Sequence, residues 1–160
     1  MEVQEYMSAA PVWCSPRDDV QTLAAQMRDS NIGFVPVLSD PDERKLLGVV
    51  TDRDVSLKVV AAGYDPRFTR VEEIMSRDVL SCGKRDSLQR AFTKMQSGKV
   101  RRLPVLDRNN QLVGIISLDD IVRSGDLAAA PLVKGIRRVL ESSRRRTKHH
   151  ARSSSSVLKV

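Results

Sequence analysis

A hydroxyl and a carboxylate stand three residues apart at two places in this chain. Thr51 and Asp54 do so in Gly48-Val49-Val50-Thr51-Asp52-Arg53-Asp54, and Ser117 and Asp120 in Gly114-Ile115-Ile116-Ser117-Leu118-Asp119-Asp120. In each run the apolar residues read as a strand end, and the carboxylate falls in the first turn of the helix that follows. An ionised carboxylate can accept hydrogen bonds from two neighbouring hydroxyls of a ligand at once, and such bonds are among the stronger kind. Backbone N–H groups at a helix start can meet a phosphate. The same spacing has a plainer use, because Asp54 and Asp120, with Thr51 and Ser117, could simply cap their helices.

Little else invites catalysis. The sequence holds no nucleophile–base pair, no metal-ligand cluster and no Walker-type phosphate loop, so neither catalytic nor metal-binding residues are expected. His149 and His150 stand together with no further ligand near them. Cys14 and Cys82 lack zinc-site or CxxC spacing and read as small buried apolar residues in a reducing compartment. The N-terminal stretch is acidic where a signal peptide is positive, and no apolar run is long enough to span a membrane. A cytoplasmic protein is expected.

Both runs belong to a longer internal repeat. Residues 3–38 align with 71–106 at a constant offset of 68, which brings Val3–Ser8 onto Val71–Ser76, Cys14 onto Cys82 and Pro36-Val37-Leu38 onto Pro104-Val105-Leu106. A two-residue difference in the next turn changes the offset to 66 and superposes Gly48, Thr51 and Asp54 on Gly114, Ser117 and Asp120. The chain is a duplicated unit of about 60 residues.

Each copy reads as β-α-β-β-α. A short helical turn (Val3–Met7; Val71–Met75) leads to a brief strand around Val12–Cys14 or Val79–Cys82. Asp19 or Ser87 then caps a helix with apolar residues at helical spacing: Val20, Leu23, Ala24 and Met27, or Leu88, Ala91, Phe92 and Met95. Strands are predicted at Phe34–Leu38 and Leu103–Leu106, then at Leu46–Val50 and Leu112–Ile116. Closing helices follow from about Asp52 to Ala62 and from Leu118 to Arg123. Copy one covers 1–62, a linker with Gly63 and Pro66 covers 63–70, and copy two covers 71–126. A unit this small buries too little apolar surface alone, so the two are expected to pack together.

This repeat resembles the tandem cystathionine-β-synthase-type (CBS) domain pair, over about residues 1–125. The likeness rests on the opening Val-x-Glu-x-Met-Ser, the strands VPVLS and LPVLD, and the complete closing motifs GVVTDRD and GIISLDD. TDRDVSLKVVAAGYDP and VRRLPVLD are similar to stand-alone bacterial members in particular. The resemblance implies an α/β (α+β) fold with the copies packed as a pseudo-twofold pair, and a regulatory, non-enzymatic module that senses an adenosine-containing ligand; the alternatives are a structural pair without ligand and a nucleic-acid-associated protein anchored by its basic tail. That ligand would be AMP, ADP or ATP, or else S-adenosylmethionine or NAD, held as a regulatory ligand and not as a required cofactor. A homodimer formed through the helices and a separate effector protein are implied as partners.

In that family the clefts are assembled across the repeats. Carried over, Thr51 and Asp54 would face Arg101 and Arg102, while Ser117 and Asp120 would face Gly33 and Phe34. Adenine would stack on aliphatic residues such as Val12, Leu80 or Val50, with Phe34 beside it or in the core. Two guanidiniums suit phosphate oxygens, so the first cleft is expected to take a phosphorylated adenosine. The second, with no arginine at that place, is expected to be weaker, empty or filled by an uncharged adenosyl group. Arg101 and Arg102 could instead pair with surface carboxylates, and Arg53 and Lys58, on the helix after the first motif, could add to the phosphate field but read more readily as solvated.

The net charge of +7 is local. Residues 134–160 hold nine Lys/Arg and one Glu, which leaves 18 basic and 19 acidic residues in the rest. Leu132, Val133, Ile136, Val139 and Leu140 recur at helical spacing and predict an amphipathic helix within 127–160. The basic, serine-rich end that follows reads as disordered, either simply solvated or an electrostatic contact for nucleic acid, an anionic membrane or an acidic protein.

Overall fold

The structure, a computed structural model, describes residues 1–125; the helix and basic tail expected over 127–160 lie outside the described residues. A single 3-10 turn at Val3–Glu5 opens the chain. In chain order there follow β1 (Ser8–Ala9), α1 (Val20–Asp29), β2 (Phe34–Leu38), β3 (Leu46–Thr51), α2 (Asp52–Val55), α3 (Val71–Ile74), β4 (Cys82–Gly83), α4 (Leu88–Gly98), β5 (Arg102–Leu106), β6 (Leu112–Ser117) and α5 (Leu118–Ser124). Both copies follow the expected α/β order with one correction: the strand expected around Val12–Cys14 is reduced to a single bridge of Cys14 to Val37, and β1 lies earlier in the chain.

Local chemistry sets the helix bounds. The Asp19 carboxylate accepts from the Thr22 N–H at 2.8 Å and the Ser87 hydroxyl from the Arg90 N–H at 3.2 Å, each satisfying a donor that a helix start leaves open. Both helices are left through a left-handed residue at the same repeat position, Asn31 (φ 51°) and Lys99 (φ 55°). One departure from expectation follows β3. The helix is α-wound only to Val55 and continues over Ser56–Val60 as a π-helix, with the Ala61 N–H reaching back to the Ser56 carbonyl at 2.9 Å.

The two antiparallel ladders match residue for residue. Phe34 lies opposite Thr51 on β2 and β3, as Arg102 lies opposite Ser117 on β5 and β6. Each ladder shifts register at the equivalent place, between Val37 and Leu38 and between Val105 and Leu106. Cys82 pairs in parallel with Val105, and Cys14 bridges Val37 in the same sense.

The opening segments trade places between the copies. β1, from the first copy, pairs antiparallel with β6 of the second, Ser8 opposite Ile115. Ser76 of the second copy exchanges backbone hydrogen bonds of 2.9 and 3.0 Å with Val49 on β3 of the first. Val3 is fully buried in the core of Phe92, Met95, Leu103 and Ile116, while Val71, Ile74 and Met75 join that of Val20, Leu23, Val35 and Val50. Burying an aliphatic side chain of this kind stabilises by about 1.5–3 kcal/mol. Each half therefore completes its core with residues of the other, which answers the small size of either copy.

The crossing also explains the glycine of each closing motif. A Cβ on Gly48 would lie 2.8 Å from the Ser76 carbonyl oxygen, and one on Gly114 would lie 3.0 Å from that of Ser8. Only a bare α-carbon lets the other copy's backbone pass.

Candidate functional site

Thr51 and Ser117 end their strands in extended conformation and begin the next helix, and each closes a reciprocal cap with the Asp three residues on. The Ser117 N–H and hydroxyl donate to Oδ2 of Asp120 at 2.8 and 2.6 Å, and the hydroxyl oxygen accepts from the Asp120 N–H at 3.2 Å. The Thr51 N–H and hydroxyl donate to Oδ2 of Asp54 at 2.9 and 2.7 Å in the same way. The capping role is thus real in both copies, and in both it uses one carboxylate oxygen.

The other oxygen distinguishes them. Oδ1 of Asp54 is 2.9 Å from the Lys58 Nζ. Among the described residues Oδ1 of Asp120 has no hydrogen-bond or ion-pair partner. Lys58, expected to be simply solvated, in fact binds twice, its Nζ also donating to the Ile74 carbonyl at 2.6 Å.

Ser117 and Asp120 line a cleft of about 270 Å³ shared by the two copies, close to the lower end of the ~300–1,000 Å³ usual for small-molecule sites. From the first copy come Val12, Gly33 and Phe34; from the second come Arg102, Ser117 and Asp120. β1 and the chain after it form one wall, because the crossing of the opening segment sets Ser8 and Pro11 beside β6. The cleft combines an apolar wall, a hydroxyl, a carboxylate with an oxygen to spare and a guanidinium. Such a set suits a ligand with an apolar ring, vicinal hydroxyls and negative charge.

Several expected residues lie elsewhere. Arg102 was assigned to Thr51 and Asp54, and the cleft of Ser117 and Asp120 was expected to lack arginine; instead Arg102, in register with Ser117 at the start of β5, lines that second cleft. Arg101 is exposed, and its carbonyl accepts from the Leu118 N–H at 2.9 Å, bracing the start of α5. Neither arginine forms an ion pair among the described residues. Leu80 is 44% exposed and packs over Gly98 at the end of α4, so closely that a Cβ there would overlap it. Val50 is fully buried in the first core.

Ile115 and Asn31 also line the cleft and were missed. Ile115 could have been found from strand alternation, since Leu112, Gly114 and Ile116 are buried and leave Ile115 on the face of Ser117. Asn31 carried no such signal beyond its place at a helix end.

A family model described as the CBS domain matches residues 3–60 and again residues 71–126. The chain belongs to the CBS domain family. This CBS pair is 37% identical over 119 residues to the CBS domain-containing protein YhcV of Bacillus subtilis, covering 74% of this chain and 81% of that one. Its fold is similar to the CBS domain pair of protein MJ0100 in complex with 5-methylthioadenosine and S-adenosyl-L-methionine, with a TM-score of 0.69 and 26% identity, over 78% of this chain and 95% of that. It is also similar to CBSX2 in complex with AMP, with a TM-score of 0.65 and 25% identity, over 78% and 95% of the respective chains. Among the described residues of the CBS pair no helix is long and apolar enough to cross a membrane.

Proposed function

We propose that this CBS pair is a non-catalytic regulatory module that binds an adenosine-containing ligand, first of all an adenine nucleotide, in the cleft of Ser117 and Asp120. One observation carries the reading: Asp120 caps α5 with Oδ2 and keeps Oδ1 unpartnered among the described residues, in a cleft that also holds Arg102. Oδ1 accepts the ribose hydroxyls, Val12, Phe34 and Ile115 enclose the base, and Arg102 meets a phosphate. The adenosyl ligands named for MJ0100 and CBSX2 support the ligand class.

Because the cleft takes walls from both copies, a ligand there bears on their relative arrangement. It shifts that equilibrium only by its difference in affinity for the two states, and a separate effector protein reads the outcome. Exposed Leu57 and Val60 after β3, and Val122 on α5, support pairing of two chains through these helices. Buried, unpaired Cys14 and Cys82 suit a reducing, cytoplasmic setting.

Thermal-shift measurements against AMP, ADP, ATP, NAD and S-adenosylmethionine test this. A ligand at about 100 times its Kd stabilises the fold by about 2.7 kcal/mol, and Asp120→Asn should abolish that gain, since the amide keeps a capping oxygen and presents a donor where Oδ1 accepted. A wild type indifferent to all five ligands overturns the reading.

A further inference from the structure

We propose that Lys58 permanently occupies Asp54, so that each chain binds one ligand, at Ser117 and Asp120, and not the two that its duplicated motif suggests. The inference rests on the ligand reading above and assigns the inequivalence of the two motifs to one residue.

Both motifs build the same cap, and both spend Oδ2 of the aspartate on it. Oδ1 is what remains to grip a sugar. At Asp54 the Lys58 Nζ sits 2.9 Å from that oxygen, one helical turn on. An exposed lysine–carboxylate pair alone is too weak to withstand a ligand. Lys58 is anchored a second time, at 2.6 Å, to the carbonyl of Ile74. That carbonyl belongs to the last residue of α3, where a helix end leaves its acceptors open. Ile74 is itself buried in the first core, so α3 cannot follow a departing lysine. A ligand reaching for Oδ1 of Asp54 must compete with an ammonium that the Ile74 carbonyl holds in place.

Among the described residues nothing plugs Asp120 in this way. At the offset of 66 the counterpart of Lys58 is Ser124, whose hydroxyl donates to the Ile121 carbonyl at 2.7 Å. The windings differ too: Lys58 lies in the π-wound stretch Ser56–Val60, whereas α5 is α-helical throughout Leu118–Ser124. π-Turns within helices gather at functional positions, and here the wide turn carries the residue that closes the site.

Isothermal titration of the full chain with the ligand that gives the largest thermal shift reads the stoichiometry. The wild type should bind one ligand per chain, and Lys58→Ser, which copies the second repeat, should bind two. Lys58→Met, which keeps the apolar stem, should also bind two and serves if the serine variant does not fold. In the Lys58→Ser background, Asp120→Asn should leave one site, and adding Asp54→Asn should remove it. Two sites in the wild type overturn the inference without touching the proposed function. So does one site that persists unchanged in both Lys58 variants. A wild type that binds none of the five ligands overturns the proposed function and this inference with it.

Discussion

One carboxylate oxygen is enough to cap a helix, and at Asp54 and Asp120 it is Oδ2 that does so. Capping and ligand binding therefore do not compete for these residues; the state of Oδ1 decides which carboxylate is free to bind. The spacing of hydroxyl and carboxylate was legible in the sequence. The i,i+4 spacing of Asp54 and Lys58 was legible as well; that Lys58 would also reach the Ile74 carbonyl was not, because that contact forms only once the copies pack. The cysteines were more transparent. Both are buried and unpaired, and burial pushes their thiols up from the ordinary 9.0 to about 12. The native state thus holds their protons more tightly than the unfolded chain does. Their contribution is complete below pH 9.0 and is lost as pH climbs toward about 12. From about pH 9 to 11 the wild type should lose more stability in urea titrations than a Cys14→Ala/Cys82→Ala variant. Equal losses would refute the assignment.

At the scale of elements, the strands and long helices followed from alternation, helical spacing and capping residues. Asp19 and Ser87 start α1 and α4 where they were predicted to. The two-residue strand β1 escaped notice, since Ser8-Ala9 has neither apolar alternation nor β-branched residues to announce it. Its partner β6 lies more than 100 residues away in sequence, and the pairing is made by backbone groups that no side chain advertises. Gly48 and Gly114 were visible as motif letters, yet their reason is this crossing. Gly48→Ala would set its Cβ 2.8 Å from the Ser76 carbonyl oxygen, forcing that carbonyl away, and should cost about 1–3 kcal/mol by overpacking. Chemical denaturation measures this, and an unchanged midpoint would mean that the crossing segment yields freely.

For the whole molecule, the exchange of opening segments ties the two copies together while leaving each its own core. Val3 comes from the first copy and is fully buried among Phe92, Met95 and Ile116 of the second. Val3→Ala should cost about 2 kcal/mol. In hydrogen exchange it should loosen Leu88–Gly98 and Leu112–Ser117 before Val20–Asp29. Loss of protection confined to α1 would contradict this assignment of cores. The shared cleft follows from the same exchange, since the segment that leaves β1 carries Pro11 and Val12 to Ser117.

The sequence by itself determined the duplication, the order of strands and helices, the caps and the two hydroxyl–carboxylate pairs, because these rest on local spacing and on residue types that act within a turn of themselves. Only the tertiary structure decided which copy completes which core, which cleft receives Arg102, and which aspartate keeps an oxygen to offer. The exchanged segments join residues as far apart as Val49 and Ser76 or Ser8 and Ile115, and the rest turns on where side chains several bonds long come to lie. Their geometry is set once the two halves have closed on each other.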